Sequence, residues 1–295
     1  MRCGFSVEHN HYRLWECGTE AFGPLGEWTH KKDIPEEYKD VEWHGNHDGN
    51  TFYEGKVYFT HTTTVEPLEN CLFLVRRTIE GILQAVGTTQ YRIFIKGEGN
   101  FREQVAKTRP YKGNRDKQHR PVYEKEIREY LIKYWKAEVV NGQEVDDKIA
   151  QVQQGELFTH SGELVYDPDT IICSPDKDFL QIPGYHLNTT TNEEFWVTED
   201  EAMRFLWKQI LTGDQSDNIQ GVPGIGPKKA DKLLEKCETE HDMYKVVLAE
   251  YKKAYGDKAD EVLDEMANLI MLRRREGVPW TPPVEEFEEV KDGTN

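Results

Sequence analysis

The sequence predicts an α/β fold: a mostly parallel central sheet flanked by helices, followed by a helical C-terminal subdomain. Three observations carry this expectation. The runs YRIFI (Tyr91 to Ile95) and TIIC (Thr170 to Cys173) are short and apolar, as buried strands are. Segments of helical periodicity alternate with them, and that alternation is how a parallel sheet with covering helices is built. From Glu199 to Arg275 the strand signals stop and helical spacing continues alone.

In chain order, the first seventy residues are rich in Trp, His, Gly and Asn and read as a peripheral region. Alternation in TFYEGKVYFTHTTT (Thr51 to Thr64) predicts a hairpin turning at Glu54-Gly55. Apolar residues at helical spacing run from Leu68 to Val86 and stop at Gly87, so a helix feeds the strand at Tyr91. Tyr123 to Trp135 reads as a helix, Glu138 to Val140 as a short strand, and Val145 onward as another helix. The expected organisation is an α/β core over 1–198, which includes the peripheral region and a basic segment at about 100–122. A helical subdomain over 199–278 follows, then an acidic tail over 279–295 that reads as a solvated end.

A chain of 295 residues suits one large domain, or a main domain with a small appendage. No apolar run is long enough to cross a bilayer, and MRCGFSVEHN lacks an export signal. Cys3, Cys17, Cys71, Cys173 and Cys237 form no CxxC pair, which argues against a disulfide framework or a zinc site and fits a reducing cytoplasm. The net charge of −17 opposes a polyanionic partner, yet Arg102 to Arg120 holds seven Lys or Arg against two acids, Glu103 and Asp116. The ten histidines form no catalytic set, and His44, His47 and His61 read as ordinary surface residues.

Three acidic groups stand out: GQEVDD (Glu144, Asp146, Asp147), SPDKD (Asp176, Asp178) and TGDQSDN (Asp214, Asp217). Glu144 and Asp147 stand three apart at a helix N-terminus, so they are expected to share a face. Asp176 and Asp178 follow a core strand, where an open α/β sheet places its ligands, and their spacing can turn both carboxylates the same way. Taken singly, EVDD reads as helix capping or a solvated face, and DKD is as weak. Taken together, the groups supply hard oxygen ligands for Mg²⁺ or Mn²⁺, two of which about 4 Å apart clamp the attacking and leaving oxygens of a phosphodiester displacement.

The segment GVPGIGPKKADKLLEK (Gly221 to Lys236) has glycines at Gly221, Gly224 and Gly226, then Pro227 where a helix starts. This is a helix-hairpin-helix reading. The glycines permit a tight turn and close backbone approach, and the amides at the helix start, with Lys228 and Lys229, suit a phosphate.

In type, order and spacing GDQSDNIQGVPGIGPKKA, CSPDKDFLQIPG, GQEVDD and YKGNRD resemble the motifs of the 5′ nucleases, the 5′-3′ exonuclease and flap endonuclease family that includes a phage ribonuclease H. The resemblance covers roughly Tyr91 to Arg275. It implies a PIN-like α/β core, two divalent ions (Mg²⁺ or Mn²⁺), and a helix–three-turn–helix element that grips duplex and often holds K⁺. Carried over, Glu144, Asp146, Asp147 and Asp176 resemble ligands of the first metal, and Asp178, Asp214 and Asp217 resemble ligands or outer partners of the second. Lys112 and Arg115 resemble the basic pair that meets the scissile phosphate at the base of a helical arch. Arg109 and Tyr111 are expected at the nucleic acid, Tyr111 either stacking on a terminal base or packing internally.

The family usually opens with a strand ending in Asp-x-Asp, whereas this chain starts at MRCGFS and is expected to begin just after that motif. After YRIFI many relatives carry another Asp; here Lys96, Gly97 and Glu98 stand, with Glu98 the one candidate substitute. The implied function is hydrolysis near 5′ ends or flaps of DNA or RNA-DNA hybrids during replication, by a monomer in a bacterial or phage-infected cytoplasm, with no membrane partner. A catalytically weakened DNA-structure-binding protein and a single-strand RNA nuclease are the other readings. An in-frame upstream strand bearing Asp-x-Asp, if found, would count against the first of these, and the duplex-suited helix-hairpin-helix counts against the second.

Overall fold

The computed structural model describes residues 5–16, 23–39, 57–115, 120–154, 157–158, 164–165 and 170–283. The chain divides into two compact units: Met1–Gly81 with His119–Trp135, and Ile82–Gln118 with Lys136–Asn295.

The first unit holds a three-stranded antiparallel sheet in which Glu8–Glu16 lies between Gly26–Trp28 and Val57–Val65. Leu14, Ile34 and Phe59 are buried together. The strand expected within Thr51–Thr64 is present as Val57–Val65, and its partner is distant in sequence, with Tyr12 opposite His61. The expected turn at Glu54-Gly55, and His44 and His47, lie outside the described residues. His61 is exposed, as expected of a surface residue, and stacks on Tyr12 with ring centroids 4.5 Å apart while hydrogen-bonding Asn10. The helix Leu68–Ala85 packs Cys71 and Val75 against Val7 and against Ile127 of the helix Glu124–Trp135. Gly87, with φ 66°, stands just past its end, as the sequence predicts.

The second unit carries the parallel pairing. Phe94–Lys96 pairs with Glu138–Val140, and Ile171–Cys173 pairs with Gly184–Asn188. The first of these strands begins three residues later than the run Tyr91 to Ile95 suggests. Among the described residues the two parallel pairs belong to separate sheets, so the single, mostly parallel sheet expected from the sequence is not what is seen. The second sheet also gains an antiparallel strand, Glu193–Val197, because the chain reverses tightly at Asn188–Asn192, where Asn192 takes a left-handed φ of 59°.

The helix Glu199–Thr212 starts at a capping box of Thr198 and Glu201, and Glu240–Tyr255 at one of Thr239 and Asp242. Pro227 opens the helix Pro227–Leu234 directly after Gly226. With Ala259–Ile270 these helices enclose the largest core, including Trp207, Ile210, Leu211, Met243, Val247, Tyr251 and Leu263. Each such side chain contributes about 1.5–3 kcal/mol by leaving water. The expected all-helical run from Glu199 to Arg275 is interrupted by a small antiparallel ribbon, Gly213–Asp214 with Ile219–Gln220. Two glycines make it possible. A Cβ on Gly221 would stand 2.2 Å from the carbonyl carbon of Thr212, and one on Gly213 2.2 Å from the nitrogen of Gly221.

Candidate functional site

Three chain reversals meet in the second unit. Glu144 precedes the helix Val145–Gln153, Asp178 sits in the 3₁₀ turn Lys177–Gln181 after the strand Ile171–Cys173, and Asp214 and Asp217 occupy the ribbon and its loop. Glu144, Asp146, Asp178, Asp214 and Asp217 line one cleft together with Arg102, Tyr111 and Gln209, over apolar side chains that include Ile219 and Leu272. Acids more than seventy positions apart in sequence are thereby brought to one place.

The motif YKGNR docks onto the motif DQSDN. Lys112 N–H donates to the Asp217 carbonyl at 2.9 Å, Asn218 Nδ2 to the Pro110 carbonyl at 2.9 Å, and Asn114 Nδ2 to the Gln215 carbonyl at 2.9 Å. Lys112 adopts a left-handed φ of 54° here, a conformation uncommon for lysine. The consequence is electrostatic. Tyr111 OH donates to Glu144 Oε2 at 2.8 Å and to Asp217 Oδ2 at 2.9 Å, Lys112 Nζ reaches Glu144 Oε1 at 2.5 Å, and Arg115 pairs with Asp217. Burial, then the Glu144 charge, push the Tyr111 phenol well above its ordinary value and keep it a donor. Tyr111 thus has internal hydrogen-bond partners in Glu144 and Asp217.

The remaining carboxylates divide sharply. Burial, then the charges of Glu144 and Asp176, push the Asp146 carboxyl up to about 7. Burial, then Asp176, push Asp178 up to about 6, although Gln209 Nε2 donates to its Oδ1 at 2.7 Å. Burial works against the charge of Asp214 too, but Ser216 donates to its Oδ1 from both N and Oγ and holds it below its ordinary value. Glu144 is likewise held low against burial, chiefly by Lys112.

Asp147 takes no part in this cleft. It is 0% exposed, and Arg102, itself 1% exposed, grips it through both oxygens at 2.5 and 2.9 Å. Asp147 also accepts from the backbone N–H groups of Glu144 and Arg273, while Arg102 donates to the carbonyls of Leu269 and Met271. Glu144 and Asp147 meet at the helix start in a reciprocal capping box, while Lys112 pairs with Glu144 and Arg102 with Asp147. Asp176 is exposed and does not line the cleft; it caps the 3₁₀ turn by accepting from Asp178 N–H at 3.0 Å. Glu98 is exposed and does not line it either. Gly221 is buried and accepts at its carbonyl from Tyr255 OH, so it shapes the fold, whereas Gly224, Gly226, Lys228 and Lys229 are exposed on the turn. Arg109 acts electrostatically on Tyr255. Sequence reading did not single out Arg102 or Gln209, because a buried arginine and a buried glutamine look like ordinary polar residues until their partners are known.

The donors suit a hard divalent cation, since Asp146 and Asp178 are half-enclosed acids pushed up by burial and by the neighbouring acids Glu144 and Asp176, which the charges of Lys112 and Lys177 offset only in part. Among the described residues, no three His, Cys, Asp or Glu side chains converge as a ready-made metal cage. Glu144 and Asp217 are engaged instead with Lys112, Arg115 and Tyr111.

Residues 203–275 match the family described as 5′-3′ exonuclease, C-terminal SAM fold. The chain is 31% identical over 148 residues to DNA polymerase I of Rhizobium leguminosarum, covering 46% of this chain and 12% of that protein. It is 28% identical over 158 residues to the flap endonuclease of Escherichia phage T5, covering 47% of this chain and 53% of the relative. The chain thus spans about half the length of the phage relative and much less of the polymerase. The T5 5′-exonuclease with bound divalent zinc aligns at a TM-score of 0.48 and 22% identity, over 67% of this chain and 79% of that one. The cleft acids Asp214 and Asp217 and the glycine-rich turn fall inside the matched segment. Over residues 203–275 the chain is thus similar to the 5′-3′ exonuclease C-terminal SAM-fold family, and over about half its length to proteins named flap endonuclease and DNA polymerase I.

Proposed function

We propose that this chain is a divalent-metal-dependent 5′ nuclease that hydrolyses phosphodiester bonds near the 5′ ends or flaps of DNA, with RNA-DNA hybrids as a further substrate. The observation that carries the reading is the meeting of acids from three separate motifs in one cleft beside Tyr111, Lys112 and Arg115. Asp146, Asp178 and Asp214 would hold the cation, with Glu144 and Asp217 joining as they exchange partners, and Asp176 adding its charge from the rim. Asp147 has its place behind the cleft, fixing the helix that presents Asp146. Two Mg²⁺ or Mn²⁺ ions, a K⁺ ion at the glycine-rich turn, a monomeric state and a division near 198/199 belong to this same reading.

When bound, the divalent cation supplies Lewis-acid stabilisation of the charge that develops on the phosphoryl oxygens. The chain's own residues do the rest. Lys112 and Arg115 stand where fixed cations meet a phosphate held at the acids, and cations used mainly in the transition state affect turnover more than affinity. The exposed amides of Gly224 and Gly226, with Lys228 and Lys229, hold the duplex backbone away from the chemistry.

Digestion of 5′-labelled duplex, flap and hybrid substrates, with Mg²⁺ and with chelator, tests this. Mg²⁺-dependent release of short 5′ products is expected, and no cleavage of any substrate in Mg²⁺ or Mn²⁺ counts against it. Lys112→Ala is expected to lower kcat strongly and duplex affinity slightly, and Lys228→Ala to do the reverse.

A further inference from the structure

Asp178 is held from behind by a chain of hydrogen bonds. Gln209 Nε2 donates to Asp178 Oδ1 at 2.7 Å, and Gln181 Nε2 donates to Gln209 Oε1 at 2.6 Å. Gln181 Nε2 also donates to the Ile270 carbonyl at 3.1 Å, and Gln181 Oε1 accepts from the Leu272 N–H at 2.9 Å. Both glutamines are buried, at 2% and 7% exposure. No charged group takes part until Asp178 itself.

A primary amide can be turned end for end, exchanging donor and acceptor, and its direction is set by what it meets. Here the backbone decides. A backbone N–H only donates and a backbone carbonyl only accepts, so Gln181 must give its oxygen to Leu272 and its nitrogen to Ile270. That nitrogen also faces Gln209, which has to answer with its oxygen and so turns its own nitrogen toward Asp178. The direction is carried through two side chains, from the end of one helix to the carboxylate on the 3₁₀ turn. Turning either amide over would set donor against donor or acceptor against acceptor inside a buried region, at the cost of unsatisfied polar groups.

We propose that Gln181 and Gln209 are positioning residues that form a one-way amide relay, which holds one oxygen of Asp178 as an acceptor and leaves the other for a divalent cation. This rests on the reading of the cleft as a metal site. Outer partners of this kind restrict the rotation of a ligand, so the cation does not have to immobilise it on binding.

Mn²⁺ titration calorimetry on the full chain tests the relay, with the metal-free thermal midpoint measured beside it. Gln209→Met is expected to weaken Mn²⁺ binding by about tenfold or more. Gln209→Leu, which also removes the donor to Asp178 without adding a charge, is expected to weaken binding by a similar factor. Gln181→Met, which touches neither cation nor cleft, is expected to weaken it in the same sense by a smaller factor. A merely structural pair of glutamines would lower the metal-free midpoint and leave Mn²⁺ affinity as in wild type, and that result overturns the relay. Asp178→Asn separates the two ideas. If it loses affinity and the Gln209 variants do not, the relay alone is wrong; if Asp178→Asn binds Mn²⁺ as wild type does, the metal reading of Asp178 fails and the relay with it.

Discussion

Asp146 and Asp147 are neighbours in sequence with opposite surroundings. Asp147 faces inward, fully buried, with Arg102 closed on both of its oxygens and two backbone N–H groups besides. Asp146 faces the cleft among Glu144 and Asp176, and its carboxyl is pushed up to about 7 by burial and those charges. One side of a single helical turn is electrostatically finished and the other is in deficit. Acid count in a motif therefore does not measure how many carboxylates reach a cleft: one of these two neighbours is closed into the frame and the other is left among like charges.

Breaking the closed side has the largest expected effect. Arg102→Met leaves the Asp147 charge buried without its partner and is expected to cost about 3–5 kcal/mol of folding stability in urea denaturation. A loss under about 1 kcal/mol would show that the pair is no part of the frame.

Gly221→Ala comes next, at about 3 kcal/mol, because its Cβ would stand 2.2 Å from the Thr212 carbonyl carbon. Gly224→Ala, open in space but at φ 77°, is expected to cost about 1–2 kcal/mol. Equal small losses at both glycines, with equal loss of duplex affinity, would place Gly221 at the nucleic acid after all.

The open side is probed by pH. In the fold the Asp146 carboxyl titrates at about 7 against an ordinary 3.8, so the folded chain keeps a proton that the unfolded chain has already lost. Its share of stability is therefore fully present below about 4 and falls away as pH climbs to about 7. Without metal, Asp146→Asn is expected to become more stable relative to wild type across that interval, read as a difference in thermal midpoint. A difference that does not change with pH would remove the deficit on which the comparison stands.

Much of this was legible in the residues, and what was not has a physical cause. Gly87 and Pro227 mark helix ends locally, so those elements fall where sequence puts them. The pairing of Glu8–Glu16 with Val57–Val65 depends on a distant partner, and no local pattern names one. The acids of GQEVDD were visible as a group, but their division was not. Which of two successive helical residues points inward depends on Arg102, some forty positions earlier, and on backbone groups of Leu269 and Met271 far later. The docking of Tyr111 onto Glu144 and Asp217 likewise depends on loops distant in sequence, which no local pattern brings together.

The most direct test of the account is the cleavage rate of a 5′-labelled flap in Mg²⁺ by wild type, Asp146→Asn and Asp178→Asn, each checked for folding by its thermal midpoint. Wild type is expected to cleave, and both variants to keep a wild-type or higher midpoint while losing on the order of a hundredfold or more in rate. Folded Asp146→Asn and Asp178→Asn that cleave as fast as wild type would contradict it.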